Sequence, residues 1–187
     1  QNGMTTPSMD RSAALRLAAS LAMIDLPGPV LGAAELALLH RYPLRAVCLF
    51  RRNLVDVAGT RALCTQLRER LAPHALIAID QEGGAVSRAT FVPMAPSAMA
   101  LGAVGDTALA REVGAAVARS LAQLGINWNF APVLDVNNNP ANPVIGERSV
   151  SESPDEVARL AGAWMQGSLA EGVACCVKHF PGHGDTH

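Results

Sequence analysis

The sequence predicts an α/β fold in which helices cover a parallel sheet. Five short, β-prone apolar runs alternate with segments whose apolar residues recur at helical spacing. The apolar runs are continuous, as is typical of strands buried on both faces of a parallel sheet, whereas a strand with one face in water alternates apolar and polar residues. The chain has 187 residues, half of them hydrophobic, and is therefore long enough to enclose a core without disulfide or metal staples.

The elements follow each other in the order β-α-β-α-β-α-β-α-β. The strands are predicted over residues 21–26, 46–50, 76–80, 126–133 and 173–180. The helices are predicted over residues 33–40, 56–71, 106–124 and 153–170. The second helix carries Leu63, Leu67 and Leu71 at i, i+4 and i+8, which places them on one face that can pack on the sheet.

The last two helices have explicit end signals. Asp106 is placed to cap the third helix, and a glycine directly follows its last residue. The fourth helix opens with Ser153 as the predicted N-cap and Pro154 in the first turn. Glu156 completes a predicted capping box, and Gly172 ends this helix.

Composition and charge exclude several classes of protein. The formal net charge is −1, which provides no basic surface for nucleic acid or for an anionic membrane. The high hydrophobic content excludes an intrinsically disordered chain. No apolar run reaches the roughly 18–20 residues that span a bilayer. Residues 13–24 are apolar but are not followed by the cleavage pattern of a signal peptide.

Cysteine usage favours a reducing compartment. The four cysteines form no C-x-x-C pair, and three of them lie in predicted strands, so we interpret them as buried free thiols of a cytoplasmic protein. Residues 1–3, which precede Met4, are interpreted as a vector remnant.

The first candidate site segment is IDQEGGAVSR, residues 79–88. Ligands of parallel α/β folds gather at the carboxyl ends of the strands, and Asp80 ends a predicted strand, with two glycines that allow a tight turn soon after. One interpretation is that Asp80 accepts hydrogen bonds from substrate hydroxyls while Arg88 folds back over the pocket. The other is a structural Asp80–Arg88 pair in a capped turn. A third, less favoured, makes Asp80 and Glu82 an acid/base pair.

Two further segments follow later strands. In FAPVLDV, residues 130–136, Asp135 is interpreted as a loop organiser rather than a catalyst. In IGERS, residues 145–149, Arg148 is either a surface arginine or a planar donor for sugar hydroxyls or carboxylates.

The fourth segment is KHFPGHGDT, residues 178–186, in which a strand end delivers Lys178 and His179 into a Gly/His loop typical of a mobile catalytic lid. His179, His183 and His187 recur every four residues, which on a helix would suggest a zinc site, but the proline and glycines between them disfavour a helix.

In their order and spacing, these four motifs resemble the N-acetylglucosaminidase branch of glycoside hydrolase family 3, and the resemblance runs from about residue 21 to the end of the chain. It implies a TIM-like (β/α)8 barrel, of which the chain supplies about the first five strands and four helices. It also implies that the hydroxyls of a terminal N-acetylglucosamine are bound by five residues: Asp80, Arg88, Arg148, Lys178 and His179. By the same resemblance, the Lys178–His179 peptide bond is cis.

The resemblance implies a reaction as well. It is retaining hydrolysis of β-linked N-acetylglucosamine in peptidoglycan-type fragments, through a covalent glycosyl-enzyme intermediate and with no cofactor or metal. The chemistry of the matched residues agrees, because a carboxylate accepts from hydroxyls while Lys and Arg side chains donate to them. The implied partner is a carbohydrate, with no nucleic acid and no membrane.

The catalytic groups of the family are not among the matched positions. The resemblance places the acid/base dyad and the nucleophile beyond His187. We therefore expect residues 4–187 to be the N-terminal part of one catalytic barrel domain, inactive alone and dependent on a missing C-terminal half. Two alternatives stay open: a sugar-binding fragment without hydrolytic activity, and a family 3 glucosidase or phosphorylase.

Overall fold

A computed structural model describes residues 10–186 of the chain. Within these residues seven strands form two sheets, and their bounds are β1 Met23–Asp25, β2 Ala46–Leu49, β3 Leu76–Ile79, β4 Gln81–Gly83, β5 Val86–Ser87, β6 Trp128–Asn129 and β7 Ala174–Cys175. The main sheet is parallel throughout, with the order β1-β2-β3-β6-β7, and β4 pairs with β5 as a small antiparallel hairpin. All five predicted strands are present, in a parallel sheet that follows the order of the chain, but the last two are shorter than predicted: β6 covers residues 128–129 of the predicted 126–133, and β7 covers 174–175 of the predicted 173–180. Pro132, which has no backbone N–H to donate, lies in the part of the predicted fourth strand that forms none.

In the described part of the chain, six α-helices accompany the strands, with the bounds α1 Arg11–Leu21, α2 Ala33–Arg41, α3 Val57–Arg70, α4 Ala98–Val104, α5 Thr107–Leu124 and α6 Pro154–Ala170. The four predicted helices correspond to α2, α3, α5 and α6. The sequence did not predict α1 and α4. The residues of α1 belong to an apolar stretch that continues to residue 24, in which periodicity does not separate a helix from a strand, and none of them is buried.

The two faces of the main sheet differ in what covers them. On the outer face Val47, Leu49, Ile77 and Ile79 are fully buried, and they pack in one cluster with residues of α3 and α5 that include Leu67 and Leu121. The inner face carries the alternate residues, and several of them stay half-buried: Ala46, Leu76 and Trp128. The prediction of strands buried on both faces is therefore correct for the outer face and only partly correct for the inner face.

The predicted cap of α5 is confirmed. The Asp106 Oδ1 atom accepts hydrogen bonds from the backbone N–H groups of Ala108 at 2.7 Å and Leu109 at 3.2 Å. Gly125 ends the helix with a φ of 89°, a conformation that glycine adopts without a Cβ penalty.

The predicted capping box of α6 is wrong. Ser153 occupies the N-cap position and Pro154 is the first helical residue, but the Ser153 side chain makes no cap hydrogen bond. Glu156 instead binds Arg159, with 2.5 Å between Oε2 and Nη2. Because the Glu156 carboxylate is held by this charge-assisted pair with Arg159, it does not turn back to accept from the Ser153 N–H, as a capping box requires. Gly172, with a φ of 77°, lies just beyond the end of the helix as predicted.

Two of the four cysteines are buried and the other two are only half-buried. Cys48 and Cys64 are buried, and burial raises the pKa of each to about 11. Cys175 and Cys176 are half-buried, which corrects the interpretation that all four are core residues.

Among residues 10–186, no helix is both long and apolar enough to cross a bilayer. The interpreted vector remnant, residues 1–3, and His187 of the histidine series lie outside the described residues.

Two glycines allow α5 and α6 to pack closely. A Cβ atom added to Gly114 would lie 2.0 Å from the Trp164 carbonyl oxygen, and one added to Gly167 would lie 2.0 Å from the Arg111 carbonyl oxygen. Each helix thus places a glycine against the backbone of the other. Since backbone atoms cannot rotate away as a side chain can, any larger residue forces the helices apart.

Gly114→Ala is expected to lower the free energy of unfolding by about 1–3 kcal/mol, since the added methyl group must push α6 outward. The matched control is Gly162→Ala, also in α6, where an added Cβ atom meets nothing within 4 Å. Alanine favours a helix over glycine by about 0.5–1 kcal/mol, so the control is expected to be neutral or stabilising. Denaturant unfolding of the two variants measures both changes, and equal effects would contradict this account of the helix contact.

Candidate active site

Polar side chains gather where the parallel strands of the main sheet end. Asp80 follows β3, Asp135 lies in the segment after β6, and Lys178 and His179 follow β7. A backbone hydrogen bond from Leu134 N–H to the Lys178 carbonyl, at 2.7 Å, keeps the last two segments side by side beyond the strands. The parallel topology therefore brings residues that are up to 99 positions apart in the sequence to one edge of the sheet.

An amide side chain extends the pairing of β3 and β6 past Asp80. The Asn129 Oδ1 atom accepts from the Gln81 N–H at 2.9 Å, and the Asn129 Nδ2 atom donates to the Gln81 carbonyl at 2.9 Å. Both residues are almost completely buried. Since the backbone directly after Asp80 is held at both of its polar groups, the carboxylate is presented from a rigid position.

The β4–β5 hairpin returns the chain so that Arg88 lies beside Asp80. The buried Gln81 Oε1 atom accepts from the N–H groups of Arg88 at 2.9 Å and Ala89 at 3.0 Å, which ties the two ends of the hairpin together. The turn uses Gly84 at a φ of 55°, where an added Cβ atom would lie 2.7 Å from that of Ser97. As a result the Arg88 Nη2 atom lies 3.6 Å from the Asp80 Oδ2 atom.

Glu82 is the centre of the charged contacts. Its carboxylate accepts two hydrogen bonds from Arg148, one from Nε and one from Nη2, each at 2.9 Å. The Lys178 Nζ atom lies 2.5 Å from the Glu82 Oε1 atom and 2.7 Å from the Asp80 Oδ1 atom. The Glu82 side chain is only 6% exposed. The lysine therefore bridges the two carboxylates, and Glu82 orients both cations.

These contacts exclude two interpretations that the sequence left open: Asp80 and Glu82 as an acid/base pair, and Arg148 as a surface arginine. A pair of catalytic carboxylates would need Glu82 to be available to a substrate, but its oxygens are occupied by Arg148 and Lys178. Arg148 is not a surface arginine, since its side chain is only 17% exposed. The hydrogen bond to Glu82 raises the pKa of Arg148 above its ordinary value, so the guanidinium stays charged.

Asp135 organises the histidine end of the site, in line with its interpretation as a loop organiser. The carboxylate is 1% exposed, and its Oδ2 atom lies 2.6 Å from the His179 Nδ1 atom. The Oδ1 atom accepts from the His183 N–H at 2.7 Å. On the other side of the imidazole, the Arg148 Nη2 atom lies 3.3 Å from the His179 Nε2 atom. The Lys178–His179 peptide bond is cis, as the resemblance implied.

The loop after His179 is held at its base. Asn142 donates from Nδ2 to the His183 carbonyl at 2.6 Å, so that both backbone polar groups of His183 are bound. Gly184 passes so close to the chain that an added Cβ atom would lie 1.9 Å from the Val136 carbonyl oxygen. Phe180 is 99% exposed beside an open cleft of about 460 Å³ that Asp135, Lys178 and His179 also line.

Taken together, the site is a ring of fixed donors and acceptors with balanced charge. His179 lies between Asp135 and Arg148 and contacts both. The charged side chains of the site are three carboxylates and three cations: Asp80, Glu82, Asp135, Arg88, Arg148 and Lys178. A site of this kind suits a neutral ligand with several hydroxyls, because each hydroxyl can both donate and accept. Among residues 10–186, no group of three His, Cys, Asp or Glu side chains is placed to hold a metal ion.

The structure brings all five predicted site residues together. Sequence reasoning undervalued Glu82 and did not single out Gln81, Asn129 or Asn142. A usable indication for Glu82 was its position two residues after Asp80 in the same strand-end segment, which predicts that both side chains emerge near the same edge. The amide contacts had no such indication, because each joins residues 41 or more positions apart.

Comparison with known proteins agrees with this geometry. Residues 18–187 match the model of the glycosyl hydrolase family 3 N terminal domain. Among curated proteins, the chain is 42% identical to beta-hexosaminidase A of Pseudoalteromonas piscicida over 80% of its own length and 27% of that protein. It is 39% identical to the beta-hexosaminidase of Chromobacterium violaceum over 88% of its own length and 49% of that protein. The chain thus spans about half the length, or less, of the curated relatives it matches.

Solved structures give the same result. A family 3 beta-N-acetylglucosaminidase from Paenibacillus sp. matches with a TM-score of 0.87 and 42% identity, over 91% of this chain and 34% of that one. Native NagZ from Neisseria gonorrhoeae matches with a TM-score of 0.81 and 34% identity, over 87% of this chain and 50% of that one. The open parallel sheet with its helices therefore corresponds to part of a TIM-like barrel.

Proposed function

Because the chain belongs to glycosyl hydrolase family 3, we propose that it carries the sugar-binding part of an exo-acting, retaining β-N-acetylglucosaminidase. The substrates are glycans with a terminal N-acetylglucosamine, of the peptidoglycan-fragment type. The observation that supports this most directly is the Asp80 carboxylate, held at a strand end with Lys178 at 2.7 Å and Arg88 at 3.6 Å. The curated relatives that match are named beta-hexosaminidases.

Each site residue has a role that its chemistry allows. Asp80 accepts hydrogen bonds from two neighbouring hydroxyls of the terminal sugar, and Lys178 and Arg88 donate to the same hydroxyls. Arg148 and His179 contact a further hydroxyl on the other side of Lys178. Charged hydrogen bonds of this kind contribute roughly 1.5–3 kcal/mol each, which is enough for several of them to hold one monosaccharide unit in a fixed orientation.

The bond-breaking groups are assigned outside this chain. Retaining hydrolysis needs a nucleophile and an acid/base group on opposite sides of the glycosidic bond. The three carboxylates of the site are all engaged by cations or by His179 and His183, so we assign none of them to either task. We propose that both groups follow residue 187 and that this chain, by itself, does not hydrolyse substrate. We propose a cytoplasmic location, which the four free thiols support because a reducing compartment keeps cysteines unpaired.

The decisive experiment offers the full-length protein chromogenic β-N-acetylglucosaminide and β-glucoside substrates, each with and without phosphate. We expect hydrolysis of the N-acetylglucosaminide with a clear preference in kcat/KM, no dependence on phosphate, and a β-anomeric product by NMR. Preference for the glucoside would make the protein a family 3 glucosidase. A sugar-phosphate product would make it a phosphorylase. Binding of N-acetylglucosamine with no turnover would reduce the function to sugar binding.

A further inference from the structure

The most completely buried charge of the site belongs to Asp135, and no substrate role accounts for it. Its carboxylate is 1% exposed, whereas the neighbouring Asp80 carboxylate is 19% exposed. Within the part of the chain that the structure describes, it contacts His179 and His183 but no lysine or arginine. A buried carboxylate without a cation is costly unless its hydrogen bonds are essential to the structure around it.

The contacts on both sides of His179 fix the protonation of its ring. A carboxylate only accepts, so the Nδ1 atom, 2.6 Å from Asp135 Oδ2, must carry a hydrogen. A guanidinium only donates, so the Nε2 atom, 3.3 Å from Arg148 Nη2, must present its lone pair. The geometry is satisfied by one form of the imidazole, the neutral ring with hydrogen on Nδ1.

We propose that Asp135 is a positioning residue that holds His179 as a neutral acceptor and fixes the base of the loop at His183. The proposal rests on the proposed function, since it names the direction of one hydrogen bond to the substrate. The Arg148 Nη2 and His179 Nε2 atoms lie 3.3 Å apart, so a substrate hydroxyl binds here by replacing their direct contact. It then accepts from the guanidinium and donates to Nε2, so both groups stay satisfied. A carboxylate cannot donate to Nε2, and an ammonium cannot accept from Arg148, so the pair selects a hydroxyl.

The same carboxylate links this ring to the loop. The Asp135 Oδ1 atom accepts from the His183 N–H at 2.7 Å, while Asn142 holds the His183 carbonyl at 2.6 Å. The residue at the start of the loop is therefore fixed by the side chain that orients His179. Positioning partners of this kind often change affinity or activity by about 10- to 100-fold when they are replaced.

The variant that tests the proposal is Asp135→Asn. An amide has a single acceptor oxygen, so it can serve His179 or His183 but not both, and its NH2 group faces a donor in either orientation. In the full-length protein, kcat/KM for the N-acetylglucosaminide is expected to fall about 10- to 100-fold. In a His179→Ala background the same replacement is expected to cost clearly less, because the part of the loss that acts through His179 is already gone and only the part through the His183 N–H remains. An equal loss in both backgrounds would overturn the proposal.

Long-range ¹H–¹⁵N NMR of the imidazole nitrogens provides a readout that does not depend on activity. In the wild-type protein, the His179 signals, identified by their loss in His179→Ala, are expected to show hydrogen on Nδ1 and none on Nε2. A ring with hydrogen on Nε2 would refute the proposal even if Asp135→Asn failed to fold. Should the wild type not cleave the N-acetylglucosaminide at all, the proposed function fails, and the NMR signals still decide the role of Asp135.

The matched control is Asn142→Asp, which keeps an acceptor for the Val144 and Ile145 N–H groups but loses the donor to the His183 carbonyl. It disturbs the base of the loop without touching the imidazole. We expect its His179 nitrogen signals to match those of the wild type. A shift as large as that caused by Asp135→Asn would mean that any disturbance of the loop alters the ring, which would remove the specific role from Asp135.

Discussion

Asp80→Ala is expected to lower kcat/KM for a chromogenic N-acetylglucosaminide by about 10²- to 10⁴-fold. In the proposed binding role, Asp80 makes two charged hydrogen bonds to substrate hydroxyls, which together would contribute roughly 3–6 kcal/mol, and every 1.4 kcal/mol corresponds to a factor of ten. Folding should survive, because Lys178 keeps its contact with Glu82 at 2.5 Å and the Asn129–Gln81 amide bonds do not involve the Asp80 side chain.

The matched control for this prediction is Asp56→Ala. Asp56 is also an aspartate next to a secondary-structure element, but it caps α3 by accepting from the Gly59 N–H at 2.7 Å and lies outside the site. Its loss is expected to cost about 1 kcal/mol of stability and to leave kcat/KM unchanged. Steady-state kinetics and denaturant unfolding of both variants separate the two effects. Near-normal kcat/KM in Asp80→Ala would mean that Asp80 does not bind the substrate and that its pairing with Arg88 is only structural.

Glu82→Gln is expected to have the largest effect on stability. The replacement leaves the Arg148 guanidinium and the Lys178 ammonium without the carboxylate that contacts both of them. Lys178 keeps its contact with Asp80 at 2.7 Å, but the largely buried Arg148 loses its carboxylate partner. Removing one partner from a buried ion pair typically costs about 3–5 kcal/mol, because the remaining charge stays buried without compensation. Activity is also expected to fall, since Arg148 and Lys178 are no longer held towards the substrate.

The measurement is denaturant unfolding of the full-length protein, with Glu156→Gln as the control. The Glu156–Arg159 pair on α6 has the same type of contact but is exposed to water, so its loss is expected to change the stability little. If Glu82→Gln were as mild as the control, the site would not depend on Glu82 to neutralise its cations. The direct contact of Lys178 with Asp80 would then be sufficient to hold the lysine.

The sequence predicted the main sheet well because the information for it is local. Continuous runs of apolar, β-branched residues gave all five strands, and Asp106 and Gly125 marked the ends of α5 through contacts with their neighbours in the chain. Where a competing local contact exists, the same reasoning failed, as with Glu156, which binds Arg159 instead of completing a capping box. The helix α1 was missed because its residues belong to an apolar stretch that continues to residue 24, in which periodicity does not separate a helix from a strand.

The site was predicted less completely because its organisation is non-local. Strand-end position was enough to single out Asp80, Lys178 and His179, since the topology alone brings strand ends together. It could not show that Glu82 is enclosed by two cations that lie 66 and 96 positions further along the chain. The burial of Asp135 was equally inaccessible, although its interpretation as a loop organiser agrees with its three hydrogen bonds.

The β4–β5 hairpin makes one short segment responsible for three charged groups of the site: Asp80, Glu82 and Arg88. Gln81 closes this segment with its side chain, and the turn at Gly83 and Gly84 passes against the backbone of residues 95–97. Hairpin turns on protein surfaces usually tolerate insertions and deletions during evolution. Here a single inserted residue would shift β5 by one position and so redirect Arg88, which directly follows it, because side chains alternate along a strand. The length of this turn is therefore under the same constraint as the identity of the charged residues.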